Sequence, residues 1–225
     1  LSPKDWEASW ITGNYKPKRM KRYPVDCFCK VFTVNNMKSA RLYISACGLY
    51  EACINGKKVG DYVLAPGITD YRLRIQYQTY DIRELIQPGE NTITIQLADG
   101  WYRGSVGAWG LKNQYGTETK FIGQLEITDL QDNVKKILTD DTWQWSNDGP
   151  IRFADNKDGE QVDGRRIASY SSYSRLTSNN IIPTASNNPP IKEHETFTPK
   201  IIKTPSGNTL LDFGQNIAGY IKFQF

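Results

Sequence analysis

The residues best suited to chemistry lie in Ala98-Asp99-Gly100-Trp101-Tyr102-Arg103-Gly104. A carboxylate, two aromatic rings and a guanidinium stand between two glycines, directly after a run with strand alternation. Sugar recognition uses this combination. Aromatic faces cover the C–H patches of a pyranose, and charged planar groups hydrogen-bond its hydroxyls in pairs. Asp99, Trp101, Tyr102 and Arg103 are therefore candidate carbohydrate contacts. Trp109, in Gly107-Ala108-Trp109-Gly110, is the best second aromatic for a sugar platform. A structural reading stands beside this one. Trp101 and Tyr102 would plug the end of a β-sandwich, Arg103 would pair with a nearby acid, and Trp109 would pack over the same end.

Other chemistries find little support. The four cysteines, Cys27, Cys29, Cys47 and Cys53, match no zinc spacing, and His194 is the single histidine. Buried free thiols are expected; a Cys47–Cys53 bridge is the alternative. His194, between Glu193 and Glu195, reads as a surface residue with no nucleophile to serve. The net charge of +4 over 225 residues leaves no electrostatic footprint for nucleic acid. One basic run, Lys16-Pro17-Lys18-Arg19-Met20-Lys21-Arg22, reads as a solvated loop, with an anionic partner as the sharper alternative. No apolar run reaches membrane-spanning length, so no membrane partner is expected.

The elements that would carry these residues are strands. Leu42, Ile44 and Ala46 alternate with polar neighbours, as do Ile93, Ile95 and Leu97, and Phe121, Gly123, Leu125 and Ile127 share a further period-two face. Asn55-Gly56 predicts a hairpin, Asp81 to Ile86 a helical turn before Pro88, and Trp143 with Trp145 one core face. Asp70 with Arg72 reads as a local pair, and Glu160 and Asp163 with Arg165 and Arg166 as an ion-pair network. Short strands at this spacing predict an all-β antiparallel sandwich, a jelly roll. A Ser-, Asn- and Pro-rich composition begins near residue 169. It divides the chain into a module over 1–170, a linker or strap over 171–190, and the first strands of a second β-sandwich over 191–225. Strand character in Tyr220 to Phe225 suggests that the chain stops inside a structural unit.

In order along the chain stand several family-like segments. Trp6-Glu7-Ala8-Ser9-Trp10-Ile11 is followed by Gly48-Leu49-Tyr50-Glu51, Ile54-Asn55-Gly56-Lys57 and Leu64-Ala65-Pro66-Gly67. The Asp99–Gly104 loop, Gly159-Glu160-Gln161-Val162-Asp163-Gly164-Arg165 and Asp212-Phe213-Gly214-Gln215-Asn216 complete the set. Together they resemble the N-terminal region of bacterial α-L-rhamnosidases, glycoside hydrolase family 78. Val162 and Gly164 depart from that pattern, where Tyr and Ala are usual.

The resemblance implies a galactose-binding-like jelly roll preceding an (α/α)-barrel that carries the catalytic carboxylates. No catalytic residue is assigned in this chain. The parent would be an inverting hydrolase releasing L-rhamnose from glycans, periplasmic or secreted. Its partners would be L-rhamnose-containing glycan and the catalytic domain of the same chain. In such enzymes the corresponding module can bind L-rhamnose with calcium, a cation that collects several oxygen ligands. Asp155, Asn156 and Glu160 are the candidate metal ligands. The alternative is an architectural module bracing the catalytic barrel, or an accessory module of another glycoside hydrolase.

Overall fold

The computed structural model describes residues 1–222; most of them build two packed, almost wholly antiparallel sheets, with two separate two-stranded hairpins at Ile151–Asp155/Gly159–Val162 and Lys200–Lys203/Thr209–Asp212 and almost no helix. One sheet runs in spatial order through Arg175–Leu176, Ile11–Thr12, Lys120–Thr128, Ser39–Cys47, Gln76–Asp81 and Thr184–Ala185, with Val134–Leu138 also pairing to Lys120–Thr128. The other runs through Ser172–Tyr173, Gln144–Ser146, Asp26–Val34, Gly89–Ala98, Leu49–Ile54 and Lys57–Lys58. Long central strands set the register. Ser39 opposes Thr128 and Cys47 opposes Lys120 in one sheet; Asp26 opposes Leu97 and Val34 opposes Gly89 in the other.

Strand alternation directs the core. Leu42, Ile44 and Ala46 face inward from one sheet and Ile93, Ile95 and Leu97 from the other. Phe28 and Phe121 meet edge to face across the sandwich at 4.8 Å, and Trp143 packs on Phe121 at 5.6 Å. Trp145 joins the same core, as its spacing predicts. Burying a side chain such as Phe28 contributes roughly 1.5–3 kcal/mol. A second apolar cluster of Trp10, Cys47, Tyr71, Ile75, Tyr102 and Ile122 gathers around the end of the Ser39–Cys47 strand.

The local expectations map onto the chain directly. Asn55 and Gly56 both take positive φ and join Leu49–Ile54 to Lys57–Lys58, as a tight hairpin turn requires. Arg83–Leu85 is a 3₁₀ turn. The four cysteines are free; Cys27, Cys29 and Cys47 are buried, and burial pushes the Cys27 thiol up to about 11 and Cys47 up to about 12. They are therefore protonated, apolar fillers at neutral pH.

Three short strands between residues 171 and 190 pair into the two sheets. Trp145 pairs with Ser172 in one sheet, Ile11 with Leu176 in the other, and Thr184–Ala185 runs parallel to Gln76–Tyr77. Beyond them, Lys200–Lys203 and Thr209–Asp212 form a separate hairpin with solvent-exposed residues on both faces. The expected strand at Tyr220 to Phe225 is irregular from Tyr220 to Lys222, and residues 223–225 lie outside the described residues.

Candidate functional site

Asp99 to Gly104 leaves the Gly89–Ala98 strand as a single helical turn, Gly100–Arg103. The two glycines are required by what lies against them. Gly100 has φ of +51°, and a Cβ there would meet Leu49 Cγ at 2.5 Å. A Cβ on Gly104 would overlap the Asp155 carboxylate. The turn thus presses against a neighbouring strand on one side and a neighbouring loop on the other.

The structure buries most of the predicted sugar contacts. Asp99, Tyr102 and Arg103 are all in the interior. Arg103 Nε donates to Asp99 Oδ1 at 2.8 Å, and Nη1 donates to the Tyr15 hydroxyl at 2.8 Å. Tyr15 in turn donates to Asp26 Oδ2 at 3.1 Å, and Trp145 Nε1 donates to Asp26 Oδ1 at 3.0 Å. Thr119 completes the Asp26 shell at 3.3 Å. Arg103 Nη2 lies 2.6 Å from Asp99 Oδ1 but lacks the alignment of a hydrogen bond.

Charge follows from this burial. Removal from water pushes the Asp26 carboxyl up to about 6, against the pull of Arg103. Asp99 is raised for the same reason, again opposed by Arg103. Arg103 remains a cation: burial opposes its charge, and Asp99, Tyr15 and Asp26 outweigh that opposition. Tyr102 packs edge to face on Tyr71 at 5.4 Å, and Trp101 is half-buried against the second apolar cluster. These observations favour the plug-and-pair reading of the motif over direct sugar contact. Sequence reasoning missed Tyr15, Asp26 and Thr119, because nothing local marks residues that meet Arg103 from 88 positions away, as Tyr15 does.

Trp109 is different. Its side chain is 88% exposed. Its loop is fixed at the base, where Val106 and Leu111 exchange backbone hydrogen bonds and Lys157 Nζ donates to the Gly107 and Ala108 carbonyls. The loop backbone is hydrogen-bonded, and the indole it carries faces solvent, where its ring is open to stacking.

The proposed calcium ligands do not assemble. Asp155 is buried and its oxygens are occupied: Ser105 N–H donates to Oδ2 at 2.7 Å, and the N–H groups of Lys157 and Asp158 donate to Oδ1 at 2.8 and 3.0 Å. It ties the 155–159 turn to the Asp99–Gly104 turn, while Asn156 and Glu160 are exposed. Among the described residues no group of three His, Cys, Asp or Glu is placed to hold a metal. Three backbone amides take up most of the accepting capacity of the Asp155 carboxylate, whereas calcium collects several oxygen ligands at once. The neighbouring acids behave as local pairs: Asp163 holds Arg165 and Arg166, Asp148 holds Arg152 and Arg166, and Asp70 holds Arg72. Glu160 stands outside the ion-pair network expected of it.

The fold and this corner define an all-β sandwich module whose end is closed by a buried ion pair beneath an exposed aromatic loop. The chain belongs to the α-L-rhamnosidase N-terminal domain family, whose model matches residues 35–203. An α-L-rhamnosidase of Formosa agariphila is 38% identical over 171 residues, covering 72% of this chain and 18% of that protein. The crystal structure of the Aspergillus terreus α-L-rhamnosidase superposes with a TM-score of 0.88 at 33% identity, over 96% of this chain and 27% of that one. The Streptomyces avermitilis α-L-rhamnosidase, solved in complex with L-rhamnose, superposes with a TM-score of 0.79 at 32% identity, over 87% of this chain and 20% of that one. The chain thus spans about a fifth to a quarter of the length of these relatives.

Proposed function

We propose that the parent of this chain hydrolyses terminal α-L-rhamnose from glycans and that this module recognises the glycan through Trp109. The family membership and the rhamnosidase relatives support the first part. The 88% exposure of Trp109 on an anchored loop carries the second. The bond-breaking carboxyl pair of an inverting hydrolase, spaced to admit a water, is assigned to the remainder of the parent. Asp99, Tyr102 and Arg103 act beneath the site, holding the sandwich end against which the Trp109 loop is built. Recognition on this account needs no calcium, since Asp155 serves the backbone instead.

The test is calorimetric titration of the chain with L-rhamnose and an L-rhamnose-terminated oligosaccharide, in calcium and then in chelator. A single stacked ring on an open surface gives dissociation constants on the order of millimolar to micromolar. Trp109→Ala should weaken binding about tenfold with the fold intact. Binding that vanishes with chelator would overturn the calcium-free account. The buried pair at Asp99 and Arg103 favours a second reading, in which the module only braces the catalytic barrel. Absence of binding at millimolar sugar in both conditions would select it.

A further inference from the structure

The basic run Lys16 to Arg22 lies on the surface apart from the Trp109 loop in sequence. Its five cations, Lys16, Lys18, Arg19, Lys21 and Arg22, are all exposed, and no acid interrupts them. The run is anchored rather than loose. Lys18 N–H donates to the Tyr23 hydroxyl at 2.8 Å, and Lys21 N–H donates to the Lys18 carbonyl at 3.3 Å. Tyr23 packs on Tyr15 at 4.9 Å and lies under the Arg103 guanidinium at 5.4 Å. The run therefore sits on the same buried lock that shapes the Asp99–Gly104 turn.

It also shares an end of the sandwich with Trp109. Met20, Lys21 and Arg22 line one side of a cleft whose other walls include Arg103, Lys112 and Asn113. Asn113 contacts Met20 Sδ at 3.7 Å. Arg22 and Lys112 converge on one carboxylate oxygen of Asp158, at 2.8 and 2.7 Å, so a single acid is shared by two cations. Lys157, next to Asp158, clamps the Trp109 loop. Arg22 is held further by Phe153, whose ring lies 4.2 Å from its guanidinium carbon. Asp99 and Asp155, the other acids on this cleft, are buried and already bonded to Arg103 and to backbone amides. Lys21, Arg22 and Lys112 thus stand against the single exposed acid Asp158, and Lys157 ties this corner to the loop that carries the exposed indole.

We infer that the Trp109 face selects an anionic glycan, with a carboxylate or sulfate on the sugar stacked on the indole or on its neighbour reaching the Lys16–Arg22 run. This inference rests on the Trp109 reading and narrows it to a substrate class. An indole alone accepts any sugar face; a fixed cationic rim adds attraction for one kind of substituent and loses it as salt rises. Nucleic acid is the competing polyanion. A single short run beside one aromatic residue suits a charged saccharide better than a long phosphate track.

The experiment measures binding of this chain to four probes at low and high salt. They are an L-rhamnose–uronic acid oligosaccharide, its carboxyl-reduced counterpart, a sulfated rhamnose oligosaccharide, and duplex DNA. Carboxylated or sulfated probes should bind several-fold to about tenfold more tightly than the reduced one at low salt, with the gap closing at high salt. The double variant Lys18→Glu with Arg19→Glu, both exposed, should abolish the gap while retaining the reduced probe. Trp109→Ala should weaken all the sugars. Equal binding of charged and reduced sugars would overturn the anionic preference and leave sugar recognition standing. No binding of any sugar would remove both. DNA binding as tight as that of the charged sugars would also overturn the inference.

Discussion

Arg103 holds Asp99 directly and reaches Asp26 through the Tyr15 hydroxyl, so one guanidinium compensates two buried acids. Removing it leaves Asp99 buried and unpaired. Arg103→Met should therefore destabilise the chain by about 3–5 kcal/mol in urea unfolding, whereas a loss below about 1 kcal/mol would show the pair to be dispensable. Asp26 adds a pH signature. Its folded pKa, about 6, lies above that of an exposed carboxyl, so the native state holds a proton that the unfolded state has released. Stability from this group is present below about pH 4 and lost as pH rises through about 6. The stability of the wild type relative to Asp26→Asn should thus rise as pH falls from 7 to 4. A difference that stays flat across that window would contradict the raised carboxyl. None of this was legible in Asp99-Gly100-Trp101-Tyr102-Arg103. The residue types suit a sugar site and a buried lock equally, and Tyr15 and Asp26 arrive from a distant strand and loop.

At the scale of elements, the glycines around the helical turn are positions of contact. Gly104→Ala would force a methyl group into the Asp155 carboxylate and should cost roughly 1–3 kcal/mol or more, read as a lowered urea midpoint. A wild-type midpoint would show that both the Asp155 carboxylate and the Gly100 carbonyl, which the added Cβ would also meet, can move aside. The short strands of 171–190 make a second prediction. Ending the chain at residue 170 removes the pairings at Ser172–Tyr173, Arg175–Leu176 and Thr184–Ala185. Their loss should lower the melting temperature by about 5–10 °C, given roughly 2–4 °C per kcal/mol for a domain of this size. The central strands were readable because each buries one face, which writes a period of two into Ile93, Ile95 and Leu97. The short strands of 171–190 were not, because two-residue pairings held by backbone hydrogen bonds leave no side-chain pattern.

Over the whole molecule, the sandwich keeps its interior for packing, and the proposed recognition falls on one end. The Asp99–Arg103 pair lies under that end, Asp155 ties two loops together, and Trp109 and the Lys16–Arg22 run remain facing solvent. The family motif packs into the fold, and the proposed sugar contact lies outside it, at Trp109. Titrating the chain with an L-rhamnose-terminated oligosaccharide while following the six tryptophan indole N–H resonances tests this most directly. Recognition through Trp109 predicts that its resonance shifts with saturation while those of Trp101, Trp143 and Trp145 stay in place. A saturable shift at Trp101 with Trp109 unmoved would contradict it and return the sugar to the Asp99–Gly104 turn.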